Sequence, residues 1–193
     1  MITSPERIED EAEKITRLLK AGIDYVHIRK PGYTLREVRD LIEDIPYPLR
    51  RRLRLHGHFE ILNDMNLAGV HLNHRNPEAP ANAASITASC HTLREVNESD
   101  RFDYVTLSPI FDSISKEGYC SRFNPDAISG EIRGKKVIAL GGVRPESFNM
   151  LKQKGFYGAA LLGYIWQGDF EERLSHLSEY LKTIDPSADA VNK

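Results

Sequence analysis

Short runs of β-type residues alternate along the chain with longer stretches whose apolar positions recur at helical spacing. The β-type runs fall at Met1 to Thr3, Asp24 to Arg29, Arg52 to His56, Gly69 to Leu72, Ser85 to Ser89, Tyr104 to Ser108, Lys136 to Leu140 and Tyr157 to Leu162. Between them, Ser4-Pro5 reads as the N-cap and N1 proline of a first helix whose stripe is Ile8, Ile15, Leu18 and Leu19. Thr34-Leu-Arg-Glu37 and Thr92-Leu-Arg-Glu95 have the spacing of capping boxes, in which a hydroxyl and a carboxylate exchange bonds with each other's backbone N–H. Phe59 to Asn66 reads as a further helix with a polar end, Pro145 opens another that stops before Gly155, and Phe170 to Ile184 supplies the last. The segment from Asn73 to Ala84, with Pro77 and Pro80, is too broken for a full helix.

Strands alternating with helices from end to end mark a parallel α/β fold, and about eight of them predict a single (β/α)8 TIM barrel rather than an open doubly wound sheet. The expected barrel domain covers residues 1–185, with a short first strand that leaves open a start upstream of Met1, and with an irregular fourth helix. Residues 186–193 are expected to be a disordered tail.

Period-2 alternation then assigns faces. With Val26 and Ile28 toward the helices, Tyr25, His27 and Arg29 point inward. Leu53 and Leu55 outward send His56 inward, and Val70 and Leu72 outward send His71 inward. Ile86, Ala88 and Cys90 outward leave Ser89 and His91 inward. Four of the seven histidines therefore converge near the C-terminal strand ends, where barrel enzymes hold their chemistry. Each could be a hydrogen-bonded histidine of the polar upper layer. A shared metal site is the sharper reading, but no His-x-His or His-Glu-x-x-His spacing supports it. His91, just after Ser89 at a strand terminus, suits general acid/base work. Cys90 faces the helices and reads as packing, and Cys120 as an ordinary loop thiol.

Lys+Arg 26 against Asp+Glu 28 leaves a formal net charge of -2, so no global field favours nucleic acid or an anionic membrane. The one dense basic cluster, Arg50-Arg-Arg-Leu-Arg54, reads as a solvated strand entrance, since no aromatic platform accompanies it. Cys 2 is too few for a disulfide framework or a structural zinc site, and a reducing cytoplasm fits. The charged start, Arg7 to Lys14, has no signal-peptide core, and no run is long enough to span a membrane.

Two loops suit a phosphate. Ser113-Ile-Ser-Lys116 supplies hydroxyls and a point charge directly after the run ending at Ser108-Pro109, while Ala139-Leu-Gly-Gly-Val143 lets backbone N–H groups approach an anion unobstructed. The expected ligand is a phosphorylated small molecule.

His27-Ile-Arg-Lys-Pro31, Gly69-Val-His-Leu72, Thr87-Ala-Ser-Cys-His-Thr92, Asp103 through Lys116, Ala139-Leu-Gly-Gly-Val143 and Gly158-Ala-Ala-Leu-Leu-Gly-Tyr-Ile165, taken in order, resemble the thiamine phosphate synthase/TenI superfamily of barrels. The resemblance implies phosphate binding by Ser113, Ser115 and Lys116, where threonines are usual at the hydroxyl positions, with Gly142 and the loop around Leu162 and Gly163. It implies a catalytic histidine at His91. A synthase of this family joins a pyrimidine pyrophosphate to a thiazole phosphate with Mg²⁺ held by carboxylates. Here the Asn-Asp pair that ends the third strand of synthases aligns with His56-Gly57, and the second acidic position aligns with Asn76. Asn63-Asp64, close in sequence, reads as a decoy in a helix. The usual Gln, Arg and Lys of the second strand become His27, Arg29 and Pro31, with Lys30 displaced and turned away.

The resemblance therefore implies a thiamine-biosynthesis enzyme, with a TenI-like thiazole tautomerase as the first expectation. The alternatives are a thiamine phosphate synthase whose pyrophosphate is neutralised by Arg29, Arg75 and an unconventional metal site, or a non-catalytic phosphate-binding barrel. The catalytic candidates are His91 and Arg29. The substrate-binding candidates are His27, His56, Ser89, Ser113, Ser115, Lys116, Gly142 and Gly163. No metal ligand is assigned; the tautomerase needs no cofactor, and the synthase reading brings Mg²⁺. A homo-oligomer is a further expectation from the family.

Overall fold

The computed structural model describes residues 1–112, 121 and 123–184. Ser113, Ser115, Lys116, Cys120 and the tail at 186–193 lie outside the described residues. Seven strands form one parallel sheet in sequence order: β1 (Val26–Ile28), β2 (Leu53–Leu55), β3 (Gly69–Leu72), β4 (Ile86–Cys90), β5 (Val105–Leu107), β6 (Val137–Ala139) and β7 (Gly158–Ala159). An in-order parallel sheet needs a crossover after every strand, which is why the helices lie between them. The described helices are α1 (Glu11–Lys20), α2 (Leu35–Glu43), α3 (Tyr47–Arg50), α4 (Leu93–Asn97), α5 (Pro125–Ile128), α6 (Phe148–Gln153), α7 (Gly163–Trp166) and α8 (Phe170–Ile184). None of them is long and apolar enough to cross a membrane.

The sheet is strongly curled. In a flat sheet β1 and β5 would lie about 19 Å apart, four spacings of ~4.8 Å, yet His27 Nε2 on β1 is 2.7 Å from the hydroxyl of Tyr104 at the entrance to β5. The Met1 to Thr3 run forms only an isolated bridge, Ile2 beside His27. Its backbone nevertheless meets both sheet edges: Ile2 N–H donates to Leu161 O (2.9 Å), and Thr3 N–H donates to His27 O (3.0 Å). All eight predicted runs thus lie on strand or bridge positions, and the chain is α/β with the architecture expected of a TIM-barrel relative.

Between sheet and helices sits an aliphatic layer: Val26, Ile28, Leu53, Leu55 and Val70 from the strands against Ile15, Leu18 and Leu19 of α1 and Val38 and Ile42 of α2, all buried. The inward face is polar instead. Arg54, His27, His56, His71, Thr87 and Thr106 are all buried there, where larger barrels stack branched aliphatics. At the N-terminal end the Arg54 guanidinium lies between the rings of Tyr25 (4.7 Å) and Tyr104 (5.1 Å) and donates to Ser85 Oγ (2.7 Å), which plugs the interior.

Both capping boxes form, at Thr34 with Glu37 and at Thr92 with Glu95. Two helix expectations require correction. Ser4-Pro5 does not open the first helix: α1 begins at Glu11 after Asp10, and Ser4 Oγ instead accepts from Glu6 N–H (3.2 Å) in a turn. The segment is engaged in a tertiary contact instead, with Lys30 donating to Glu6 O (2.7 Å). Phe59 to Asn66 is likewise only a 3-10 turn, Phe59–Ile61, followed by turns. His58 and Asn66 adopt left-handed backbone that interrupts helical geometry at both ends; Ile61, Leu62 and Met65 still bury. The Asn73 to Ala84 segment contains no helix, as its prolines imply, and Gly163 opens α7 rather than lying in a loop.

Candidate active site

A cavity of about 850 Å³ occupies the C-terminal mouth, lined among others by Arg29, His56, Ser89, His91, Gly142 and Gly163. The candidates assigned to the mouth from the described part of the chain therefore share one cavity, except His27, which lies beneath it.

His27, His56 and His71 form a buried cluster. His27 Nδ1 is 2.9 Å from His56 Nε2, and His56 stacks on His71 with ring centres 4.2 Å apart. His71 contacts Thr87 Oγ1 and Ser89 Oγ, each at 2.9 Å. Burial holds all three rings well below the ordinary imidazole pKa, with His71 lowered to about 3, and the neighbouring imidazoles and Arg54 push the same way. All three are neutral at pH 7. Their ligand atoms lie within 4.8 Å of one another, a spacing a transition metal could use. The donor set argues otherwise: Arg54 adds positive charge beside it, and the nitrogens of His27 and His71 are already engaged. His91 stands apart from this cluster.

His91 is exposed on the rim. Its Nδ1 is 3.2 Å from Ser108 O and 3.3 Å from Ser108 Oγ; with the carbonyl as partner, which can only accept, Nδ1 carries the proton and Nε2 is left as the acceptor, whereas the hydroxyl can take either role. Its backbone N–H donates to Glu95 Oε2 (2.6 Å), so the capping box of α4 also anchors the residue. Cys90 beside it is buried, and its thiol is pushed up to about 12 by burial, which removes it as a nucleophile.

Arg29 is half-buried, and its guanidinium is lowered by burial and then by the charge of Arg75. No carboxylate pairs with either arginine among the described residues, so two cations converge on the mouth without a counter-ion. Lys30 turns away from them onto Glu11 (2.5 Å), with both side chains almost wholly buried.

At the opposite wall, Gly141 and Gly142 have φ of 92° and 64°. A Cβ on Gly142 would meet Asp112 O at 2.2 Å, so this glycine is needed where the loop after β6 presses on the chain leaving β5. The described chain thus touches Gly142 at Asp112, one residue before Ser113.

Mg²⁺ does not fit the residues at the ends of β2 and β3. Gly57 offers no ligand, and the amides of Asn73 and Asn76 donate to His56 O at 3.0 and 2.8 Å. A carboxylate at position 76 in this pose would face a carbonyl oxygen. The two acids lining the cavity are engaged elsewhere, Glu95 in its capping box and Glu98 with Arg94 (2.9 Å). Asp64 lies outside, paired with Arg39 of α2 at 3.4 Å and largely exposed. Asp64→Ala should therefore lower stability by less than about 1 kcal/mol, the worth of an exposed pair, and leave turnover unchanged; urea unfolding and a kcat measurement on one preparation check both.

Three features had no sequence signal: the buried Lys30–Glu11 pair, the clamp of two asparagines on His56 O, and the Tyr104 contact to His27.

Residues 1–165 match the family model described as thiamine monophosphate synthase. Thiamine-phosphate synthases of Syntrophomonas wolfei and Limosilactobacillus reuteri are each 23% identical to the chain, over 163 and 172 residues, and the matches cover 78% and 80% of both partners. The crystal structure of a thiamine phosphate pyrophosphorylase from Bacteroides thetaiotaomicron superposes with a TM-score of 0.82 at 31% identity over 95% of each chain. One from Pyrococcus furiosus superposes at 0.75 with 18% identity, a likeness of fold.

Proposed function

The chain belongs to the thiamine monophosphate synthase family, and from that premise we propose that it is a TenI-like isomerase acting on a thiazole carboxylate phosphate. The observation that carries this reading is the wall at the ends of β2 and β3, where Gly57 and the carbonyl-bound Asn76 stand at the positions that align with the carboxylates of the synthases. Moving a proton between ring positions needs no metal. It needs one group that can take a proton near neutrality and return it, held within reach of the ring.

His91 brings an imidazole to the rim of the cavity. With Nδ1–H donated to Ser108 O, the bare Nε2 takes the ring proton and the resulting imidazolium returns it at the second position. Ser113, Ser115 and Lys116 with the backbone at Gly142 and Gly163 are assigned to the phosphate, and contact of Gly142 with Asp112 supports that grouping. Arg29, with Arg75 beside it, is assigned to the negative charge of the carboxylate and of the anion that forms as the proton leaves.

A second reading, the synthase, is supported by the same pair of arginines, which could neutralise pyrophosphate, and by the names of the curated relatives. Purified protein given thiazole carboxylate phosphate, and separately thiazole phosphate with pyrimidine pyrophosphate, each with and without Mg²⁺, separates the readings. Isomerisation that Mg²⁺ does not change, with no coupling, is expected. Rapid coupling would replace the isomerase with the synthase, and binding with neither reaction would make the barrel a binding protein.

A further inference from the structure

The buried histidines form a directed path rather than a random cluster. Tyr104 Oη is 2.7 Å from His27 Nε2, and His27 Nδ1 is 2.9 Å from His56 Nε2. The remaining nitrogen, His56 Nδ1, has no protein partner among the described residues, and His56 lines the mouth cavity. In a chain of neutral imidazoles each ring has one donor and one acceptor, so fixing the proton at one end fixes every nitrogen along it.

The far end is fixed by charge. The Arg54 guanidinium lies over the Tyr104 ring, 5.1 Å from its centre, so its positive charge favours the hydroxyl with its proton turned away from it. Arg54 cannot accept a hydrogen bond, and His27 Nε2 is the acceptor that Tyr104 Oη has among the described residues, so the Tyr104 proton is directed to His27 Nε2. With Nε2 accepting, His27 carries its proton on Nδ1 and donates to His56 Nε2. His56 must then carry its proton on Nδ1. In the opposite polarity the Tyr104 proton would have no acceptor among the described residues.

We propose that Arg54 and Tyr104 set the direction of a neutral relay through His27, so that His56 presents an Nδ1–H donor to the mouth and selects ligands with a hydrogen-bond acceptor on the heterocycle. This deepens the proposed function and rests on its placing of a phosphorylated heterocycle in the mouth. The relay supplies a donor that stays uncharged, next to Arg29 and Arg75, which supply charge. A neutral donor recognises an acceptor atom without strengthening every anion, so His56 discriminates among ligands that the arginines would hold alike.

The test uses the full chain labelled with ¹⁵N. Long-range proton–nitrogen spectra distinguish protonated from bare imidazole nitrogens without any ligand. At pH 7 Nδ1 of His27 and His56 should be protonated and both Nε2 bare. Tyr104→Phe, which keeps the ring but removes the directing proton, should populate an Nε2–H form in at least one of the two. Bare Nδ1 atoms in the native protein, a doubly protonated ring, or unchanged nitrogens in Tyr104→Phe would each overturn the relay. For recognition, thiazole phosphate is titrated against native protein, His56→Asn and His56→Leu, with inorganic phosphate as a second probe. His56→Asn, whose amide N–H sits near Nδ1, should bind thiazole phosphate within about threefold of native, and His56→Leu about tenfold more weakly, the loss of one hydrogen bond. Inorganic phosphate should bind all three alike. Equal thiazole phosphate affinity in native protein and His56→Leu would remove the recognition role. Failure of both probes to bind native protein would instead defeat the functional reading, and the nitrogen spectra would still judge the relay.

Discussion

Replacing His91 by asparagine is expected to lower isomerase turnover by about 10²–10⁴-fold, the usual worth of a positioned acid/base group, while leaving affinity for the phosphorylated ligand within a few-fold of native. Affinity should survive because the asparagine amide can reproduce the donation that His91 Nδ1 makes to Ser108 O, and because the phosphate is assigned to the far wall. Turnover should fall because an amide has no nitrogen that takes a proton near neutrality. The residue is exposed, and its backbone N–H bond to Glu95 is untouched by the substitution, so stability gives no competing explanation. kcat and ligand Kd are measured on the same variant. Unchanged turnover, or equal loss of turnover and affinity, would take the proton-carrying role away from His91.

Much of the framework follows from local chemistry. Period-2 alternation places Val26, Ile28, Leu53, Leu55 and Val70 in the layer under the helices and sends His27, His56 and His71 to the same interior, where their rings touch. Thr34 and Thr92 cap as their Glu partners three residues on require, since that exchange is completed within one turn. What local pattern misses depends on contacts far apart in sequence. Ser4-Pro5 has good start chemistry, but the chain there is held by Lys30 at Glu6 O, and the helix waits until Glu11. Glu11 belongs to the charged run Arg7 to Lys14, yet it is buried in an ion pair with Lys30. Alignment shows that Asn76 lacks a charge; only the curled sheet brings its amide onto His56 O, 20 residues away. The separation of His91 from the other three histidines has the same origin, since it stands one residue past β4 and above the layer they fill.

Acid is expected to destabilise the fold steeply below pH 6.5, before most carboxylates titrate. The folded-state pKa values of His27, His56 and His71 are depressed, chiefly by burial, whereas in the unfolded chain each ring returns to about 6.5. Below that value the unfolded state binds protons that the folded state refuses, so stability present above pH 6.5 is lost as pH falls, and the loss continues for His71 until its folded value of about 3. One unit below the unfolded pKa each ring costs about 1.4 kcal/mol, so the trio should remove roughly 4 kcal/mol between pH 7.5 and 5.5, a large part of the 5–15 kcal/mol typical of a folded protein. Glu11 works in the opposite direction, because burial holds its carboxyl above the ordinary value and the folded state gains from its protonation. The histidine share is therefore read as a difference between proteins. Urea unfolding across this range should show a pH-dependent loss of stability that is smaller by about 1.4 kcal/mol in His71→Gln, with Thr87 and Ser89 left to bond the amide. A native stability that stays flat from pH 7.5 to 5.5, or a slope that His71→Gln leaves unchanged, would mean that at least one of these rings takes up a proton inside the folded barrel.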